Sequence, residues 1–181
     1  MAQTIVKPTG FFPSDTSWNY PSSAYDGNNN SYAEGSKTRG KLYFKTAIPY
    51  DEILGVKVFL RYKNPSGSAL DCCNFWFGYG SSSVTQIGSK IKFEGINDKQ
   101  IHETVIDLGL DSQITTIMNH KNALAIGAEA TSSYFFQIYE IGLVIDYVAP
   151  SSVYVGENKV SAVYVGDTKA SAVYVGTTKV L

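Results

Sequence analysis

The sequence has few of the residues that catalysis and metal binding most often use. Its 181 residues include two cysteines and two histidines. Cys72 and Cys73 are adjacent, so in a strand their side chains point to opposite faces and cannot cross-link distant parts of the chain. His102 and His120 fall in different segments and match no nucleophile or zinc-ligand spacing. We therefore predict a protein that is not an enzyme and has no zinc site.

Charge of either sign is also scarce. Charged residues make up 17% of the chain, and fifteen basic residues against sixteen acidic ones give a net charge of −1. This balance gives no electrostatic reason to expect a nucleic acid or a membrane as partner. No run approaches the ~20 apolar residues that cross a bilayer, and the N-terminus lacks the pattern of a signal peptide. We expect the protein to be made, and to stay, in a cytoplasm until something other than secretion releases it.

Tyrosine, phenylalanine and glycine are abundant, which favours strands and turns. Apolar residues alternate with polar ones along residues 40–148. In the segment 54–63 every even position is apolar, and in the last strand Tyr139, Ile141 and Leu143 share one face. One short segment, 112–119, has helical spacing, with Asp111 or Ser112 as its cap. The pattern predicts an all-β protein with an antiparallel β-sandwich.

The composition changes after Tyr147. A linker at 149–152 precedes three ten-residue units that each begin Val-Tyr-Val-Gly. We predict that each unit forms a strand, a turn and a return strand. Such a unit cannot bury its apolar face alone, so it must pack on its neighbours or on another chain. Two interpretations stay open for residues 149–181: a tail for assembly or anchoring through Tyr154, Tyr164 and Tyr174, or a meander that covers one edge of the sandwich.

One polar loop, residues 24–32, concentrates oxygen ligands of the kind that Ca²⁺ prefers. Its Asp-Gly-Asn-Asn-Asn-Ser segment resembles the Asp-Gly-x-x-x-Thr loop of galactose-binding-like (discoidin-type) jelly rolls, and the resemblance covers about residues 10–148. It implies a jelly-roll domain over residues 1–148 and a structural calcium ion held by Asp26, Asn28, Ser31 and Glu140. Ser31 and Ala33 depart from the Thr and Trp usual in that family. The alternative is an Asx-type turn without an ion.

Several aromatic residues lie in the same polar stretch. Rings beside amide and hydroxyl groups suit a sugar-binding loop, because rings stack on the C–H faces of sugars. The same rings could instead plug the end of the sandwich. The candidate ligand-binding residues are Trp18, Tyr20, Tyr25 and Tyr32.

The Val-Tyr-Val-Gly-x-x-Lys repeats are similar to short repeats at the ends of tailed-bacteriophage virion proteins. The Ala-x-Asp-Gly-Asn loop and the closing segment 141–147 are also similar to domains of phage tail, fibre and head-decoration proteins. This resemblance implies a non-enzymatic structural protein of a virion assembled in the host cytoplasm. Its partners would be other virion proteins and further copies of itself, and it would aid attachment to the host surface. The alternative is a carbohydrate-binding module that recognises a cell-surface glycan.

Overall fold

The computed structural model describes residues 2–13, 18–35, 40–65, 73–80, 83–131 and 136–148, together with the backbone of six short strands between 153 and 179. It divides into two compact units, Gln3–Tyr147 and Met1–Ala2 with Val148–Leu181. The strands of the sandwich are β1 (Ala2–Val6), β2 (Gly10–Pro13), β3 (Trp18–Asn19), β4 (Ala33–Gly35), β5 (Lys41–Thr46), β6 (Ile53–Lys63), β7 (Cys73–Tyr79), β8 (Thr85–Phe93), β9 (Ile101–Ile106), β10 (Leu124–Ala130) and β11 (Phe136–Tyr147).

These strands form two sheets. The six-stranded sheet has the order β3-β4-β11-β6-β9, with β1 also paired to β11, and the five-stranded sheet has the order β2-β5-β10-β7-β8. From β5 to β11 the chain changes sheet at each connection except that between β7 and β8, which are adjacent in the five-stranded sheet. Neighbouring strands such as β10 and β7 or β11 and β6 run antiparallel. The predicted all-β, antiparallel jelly-roll sandwich is confirmed.

The core lies between the sheets and follows the period-two alternation. Val56, Val58 and Leu60 of β6 are buried together, as the pattern predicts. The prediction is wrong for Leu54, which is exposed while Ile53 is buried. The cause is a register shift opposite the end of β11, between Asp146 and Tyr147.

The helical segment is short. A 3-10 turn, Asp111–Gln113, leads into α1 (Ile114–Asn119), whose Ile117 is buried. The expected cap is absent: Gln113 occupies the N-cap position of α1, and no side chain caps the helix. A second 3-10 turn spans Pro21–Ala24. Among the described residues no helix has the length and apolarity needed to span a membrane.

The tail repeats form three separate hairpins. Their strands are β12 (Val153–Val155), β13 (Asn158–Val160), β14 (Tyr164–Val165), β15 (Thr168–Lys169), β16 (Tyr174–Val175) and β17 (Thr178–Lys179). In the described backbone each pair forms its own two-stranded sheet, and the register is the same in all three: Tyr154 lies opposite Lys159, Tyr164 opposite Lys169, and Tyr174 opposite Lys179. The linker 149–152 and the side chains of the tail lie outside the described part of the chain.

Candidate functional site

The loop predicted to bind calcium is closed by its own hydrogen bonds. The backbone N–H of Asn28 donates to Asp26 Oδ1 over 2.7 Å, and the Ser31 hydroxyl donates to Asp26 Oδ2, also over 2.7 Å. Asn28 Oδ1 accepts a third bond from the Asn30 amide. Gly27, with φ +78°, supplies the left-handed turn that this arrangement needs. The Ser31 hydroxyl, followed by the Asn28 amide, lowers the pKa of Asp26.

Glu140, the fourth predicted ligand, bonds to a lysine. Lys7 Nζ lies 2.8 Å from Glu140 Oε1, and its charge also helps to lower the pKa of Asp26. A calcium site needs six to eight oxygen ligands turned toward one point. Here both carboxylate oxygens of Asp26 and Oε1 of Glu140 already face protein donors, so these three oxygens are not presented as free cation ligands. Among the described residues no three His, Cys, Asp or Glu side chains form a metal-binding group.

The four predicted ligand-binding rings have different surroundings. Trp18 is 6% exposed and belongs to the core, and its Nε1–H donates to the Gly40 carbonyl over 2.8 Å. Tyr25 packs edge-on against Phe44. Tyr20 is 73% exposed. Tyr32 contacts Tyr139 with 5.2 Å between ring centroids. The structure therefore does not gather the four into one sugar-stacking surface.

The two histidines are also apart. His102 Nε2 lies 2.7 Å from Asp98 Oδ1, and the His120 ring stacks on Tyr79 with 3.6 Å between centroids. Cys73 is buried in the core, and Cys72 lies outside the described residues. In the described contacts each histidine therefore has its own partner, and neither partner is the other histidine or a cysteine thiol.

Three rings form a row on the outer face of the five-stranded sheet, the side away from the core. Phe12 of β2 stacks on Tyr43 of β5 at 5.1 Å, and Trp76 of β7 meets Tyr43 edge-on at 5.6 Å. Between β5 and β7, Gly127 of β10 is paired with both Tyr43 and Trp76. The indole lies over Gly127 so closely that a Cβ there would be 2.1 Å from its Cε2. We call Phe12, Tyr43 and Trp76 the aromatic row.

Polar residues flank the aromatic row on both sides. On one side Glu129 of β10 is paired with Lys41 and with Asn74, and Asn74 is paired in turn with Lys92. On the other side Lys45 lies with its Nζ 5.0 Å from the centroid of Phe12.

Lys90 of β8 contacts both the aromatic row and the carboxylate of Glu129. Its Nζ lies 4.4 Å from the centroid of Trp76 and 3.0 Å from Glu129 Oε2. Burial pushes the pKa of Glu129 upward. The hydrogen bonds from Lys90 and Asn74, with the charges of Lys90 and Lys41, outweigh burial and lower it. Burial, helped by the charge of Glu129, raises the pKa of Tyr43. Glu129 is therefore a carboxylate and Tyr43 a neutral phenol at neutral pH.

The motifs and aromatic clusters of the sequence do not point to this face, although β7 and β10 carry a signal for it. In Asn74-Phe75-Trp76-Phe77 the two phenylalanines point to the core, so the tryptophan must point outward. In the partner strand the outward positions hold Ala125, Gly127 and Glu129, and small residues beside a large ring leave room for it to lie flat. A tryptophan at an outward-facing position of a strand, opposite small residues of the neighbouring strand, therefore indicates a ring that lies flat on the outer face of the sheet.

Comparison with known proteins concerns the fold. No family model and no curated protein matches the chain. Truncated AlyQ with CBM32 and alginate lyase domains is 14% identical with a TM-score of 0.48, and the match covers 83% of this chain and 35% of AlyQ. The family 32 carbohydrate-binding module of C. perfringens NanJ, solved with galactose, is 13% identical with a TM-score of 0.47 over 79% of this chain and 99% of that one. The CBM22-1 xylan-binding domain of Paenibacillus barcinonensis Xyn10C is 11% identical with a TM-score of 0.48 over 82% and 98%.

Proposed function

We propose that this chain is a glycan-binding module without catalytic activity, and that it binds sugar on the outer face of the five-stranded sheet. The observation that carries the proposal is the aromatic row, three rings of β2, β5 and β7 in contact with one another on the side of the sheet away from the core. Sugar rings present C–H faces that stack on aromatic rings, and their hydroxyls need hydrogen-bonding groups close by. The polar residues beside the row, Glu129, Asn74 and the lysines, supply those groups.

The rings have different roles in this proposal. Phe12 and Tyr43 are partly exposed and are the rings that a sugar can reach. Trp76 is 2% exposed, lies under the ammonium group of Lys90 and contacts Tyr43 edge-on. We therefore assign ligand contact to Phe12 and Tyr43, and a positioning role to Trp76.

The charges on this face favour an acidic glycan. Four lysines of the described strands face outward here, Lys41, Lys45, Lys90 and Lys92; Lys90 pairs with the carboxylate of Glu129 and Lys92 with that of Glu94. A surplus of positive charge raises the local concentration of an anionic polymer, and the effect weakens as salt is added. A polymer of uronic acids, with one carboxylate on each sugar, has the complementary pattern.

Affinity electrophoresis tests this proposal. In gels that contain polygalacturonate the protein should be retarded, and in gels that contain a neutral galactan it should be retarded less. Phe12→Ala and Tyr43→Ala should each weaken binding about tenfold, which corresponds to about 1.4 kcal/mol. Tyr20→Ala is the matched control, because it removes an exposed ring that lies outside the aromatic row.

Two results would contradict the assignment. Folded Tyr43→Ala with unchanged retardation would remove the aromatic row from the proposal. Loss of binding in Tyr32→Ala instead would move the site to the loop 25–32, where Tyr32 and Tyr139 meet. A chain that binds nothing on an array of neutral and acidic glycans would refute glycan binding as a whole.

As a second function we propose subunit assembly through the tail, and one observation favours it. Each repeat forms a hairpin of two strands with two or three residues per strand. An isolated two-stranded hairpin is marginally stable in water, and a further strand from another chain would stabilise it through main-chain hydrogen bonds. Partners among virion proteins, and a place in a phage particle assembled in the host cytoplasm, remain predictions from the repeat motif.

A further inference from the structure

Two lysines lie over rings at the two ends of the aromatic row. Lys45 Nζ is 5.0 Å from the centroid of Phe12, and Lys90 Nζ is 4.4 Å from the centroid of Trp76. Lys90 also has a carboxylate beside it, because its Nζ lies 3.0 Å from Glu129 Oε2. None of the ion pairs among the described residues includes Lys45. The two ammonium groups therefore share a face and differ in how firmly they are held.

Glu129 fixes the position of the Lys90 ammonium. The side chain of Glu129 is 14% exposed and that of Lys90 is 34% exposed. Asn74 Nδ2 donates a second hydrogen bond to the same oxygen, Glu129 Oε2, over 3.3 Å. A carboxylate that is mostly buried and bonded by two donors has little freedom, and the Trp76 ring restricts the ammonium further. Part of the entropy that a lysine loses when it binds a ligand is therefore already lost in the free protein.

Long-range attraction does not distinguish the two lysines, whereas contact does. Each lysine adds one positive charge to the face, and salt screens the attraction that either charge exerts on a distant anion. An ammonium has three N–H groups, and Glu129 accepts one of those of Lys90, so others remain for the ring face and for a ligand oxygen. A hydrogen bond from an ammonium to a carboxylate is short and strong. A positioned donor of this kind keeps its contribution when salt is added.

We infer that Lys90 is the specificity-determining residue of this face: it bonds to the carboxylate of a bound uronic acid, and Lys45 only raises the local concentration of the polymer. Glu129 is the positioning residue that holds Lys90 in place. This inference rests on the proposed function, because it assigns roles within the same site. Its signature is the salt dependence of binding, since only the contribution of Lys90 should persist at high salt.

The experiment is a calorimetric titration of the full chain with an oligogalacturonate, from about 0.02 M to about 0.5 M NaCl. Lys45→Met and Lys90→Met form a matched pair, because each removes one ammonium that lies over a ring of the aromatic row. Both variants should bind more weakly than the wild type at low salt. At high salt Lys45→Met should bind like the wild type, and Lys90→Met should remain about tenfold weaker.

Glu129→Gln tests the positioning role and does not remove either lysine. The amide keeps the size of the side chain and an acceptor oxygen but lacks the charge that holds the ammonium. At low salt this variant should bind the oligogalacturonate more tightly than the wild type, because the face has lost a negative charge. At high salt it should bind about threefold more weakly, because the bond that fixes Lys90 is no longer charge-assisted on both sides. Two binding curves that cross are not expected from a residue that only stabilises the fold.

Three results would overturn the inference. Lys90→Met and Lys45→Met that recover alike at high salt would show that Lys90 acts only through its charge. Glu129→Gln that binds more tightly than the wild type at every salt concentration would show that Glu129 competes with the ligand, and this result decides the matter even if Lys90→Met does not fold. In both cases the wild type still binds, so the proposed function stands. A wild-type chain that does not bind oligogalacturonate at any salt concentration would overturn the proposed preference for acidic glycans and the inference with it.

Discussion

Single residues decide whether the aromatic row can exist. Trp76 lies flat only because Gly127 beneath it has no side chain, and a Cβ at that position would overlap the indole. The close approach of the indole requires a glycine at position 127, although strands generally disfavour glycine. The alternation of β7 predicts an outward tryptophan, but the sequence does not show which residue of which neighbouring strand lies under the ring.

Gly127→Ala should therefore destabilise the protein. The ring must move to admit the methyl group, and overpacking of this kind costs about 1–3 kcal/mol. Displacement of Trp76 should also weaken glycan binding, because Tyr43 loses its edge-on support. Urea unfolding measures the first effect and affinity electrophoresis the second. Gly10→Ala is the control: its Cβ would meet only Lys45, at an ordinary 3.8 Å, so it should change neither property.

The hydroxyl of Ser31 contributes to the stability of the fold, and this contribution depends on pH. It lowers the pKa of Asp26 in the folded chain, so the stabilisation is fully present above the unfolded pKa, near 4, and is lost as the pH falls through the folded pKa. Ser31→Ala should raise the pKa of Asp26 toward its ordinary value, which an NMR titration of the carboxyl carbon measures. The stability gap between variant and wild type should be widest at neutral pH and narrow in acid. An equal gap at both pH values would show that the bond to Asp26 does not depend on its charge. Ser22→Ala, which changes an exposed serine outside the loop, should show no gap at either pH.

At the scale of elements, alternation predicted most strands but not their irregularities. In β11 the apolar pattern placed Tyr139 on the core face with Ile141. A bulge between Ile138 and Glu140 instead makes Tyr139 an extra residue, and its ring lies against Tyr32. Bulges leave little mark in a sequence because they are set by the pairing of two strands. The same limit applies to the pair formed by Lys7 and Glu140, since two charges far apart in sequence have no local pattern.

At the scale of the whole molecule, the alternation of apolar residues predicted the sandwich, whereas assembly through residues 149–181 stays a prediction that the mass in solution tests. We expect light scattering after size exclusion to show a discrete oligomer for the full chain and a monomer for a chain that ends at Val148. The reason is that the repeats leave strand edges for other chains to pair with.

Replacing Tyr154, Tyr164 and Tyr174 together by Ser should also give a folded monomer. If the full chain and the chain that ends at Val148 are both monomers, the tail does not join subunits. An oligomer of unchanged size in the triple variant would mean that the tyrosines do not join them.

The uniform register of the three hairpins has a consequence for how this gene can change. In the described backbone each hairpin pairs within itself, with its tyrosine opposite its own lysine. A duplication or deletion of one ten-codon unit keeps the reading frame and adds or removes one complete hairpin. Tail length can therefore vary between descendants in whole steps, while selection acts separately on the sandwich.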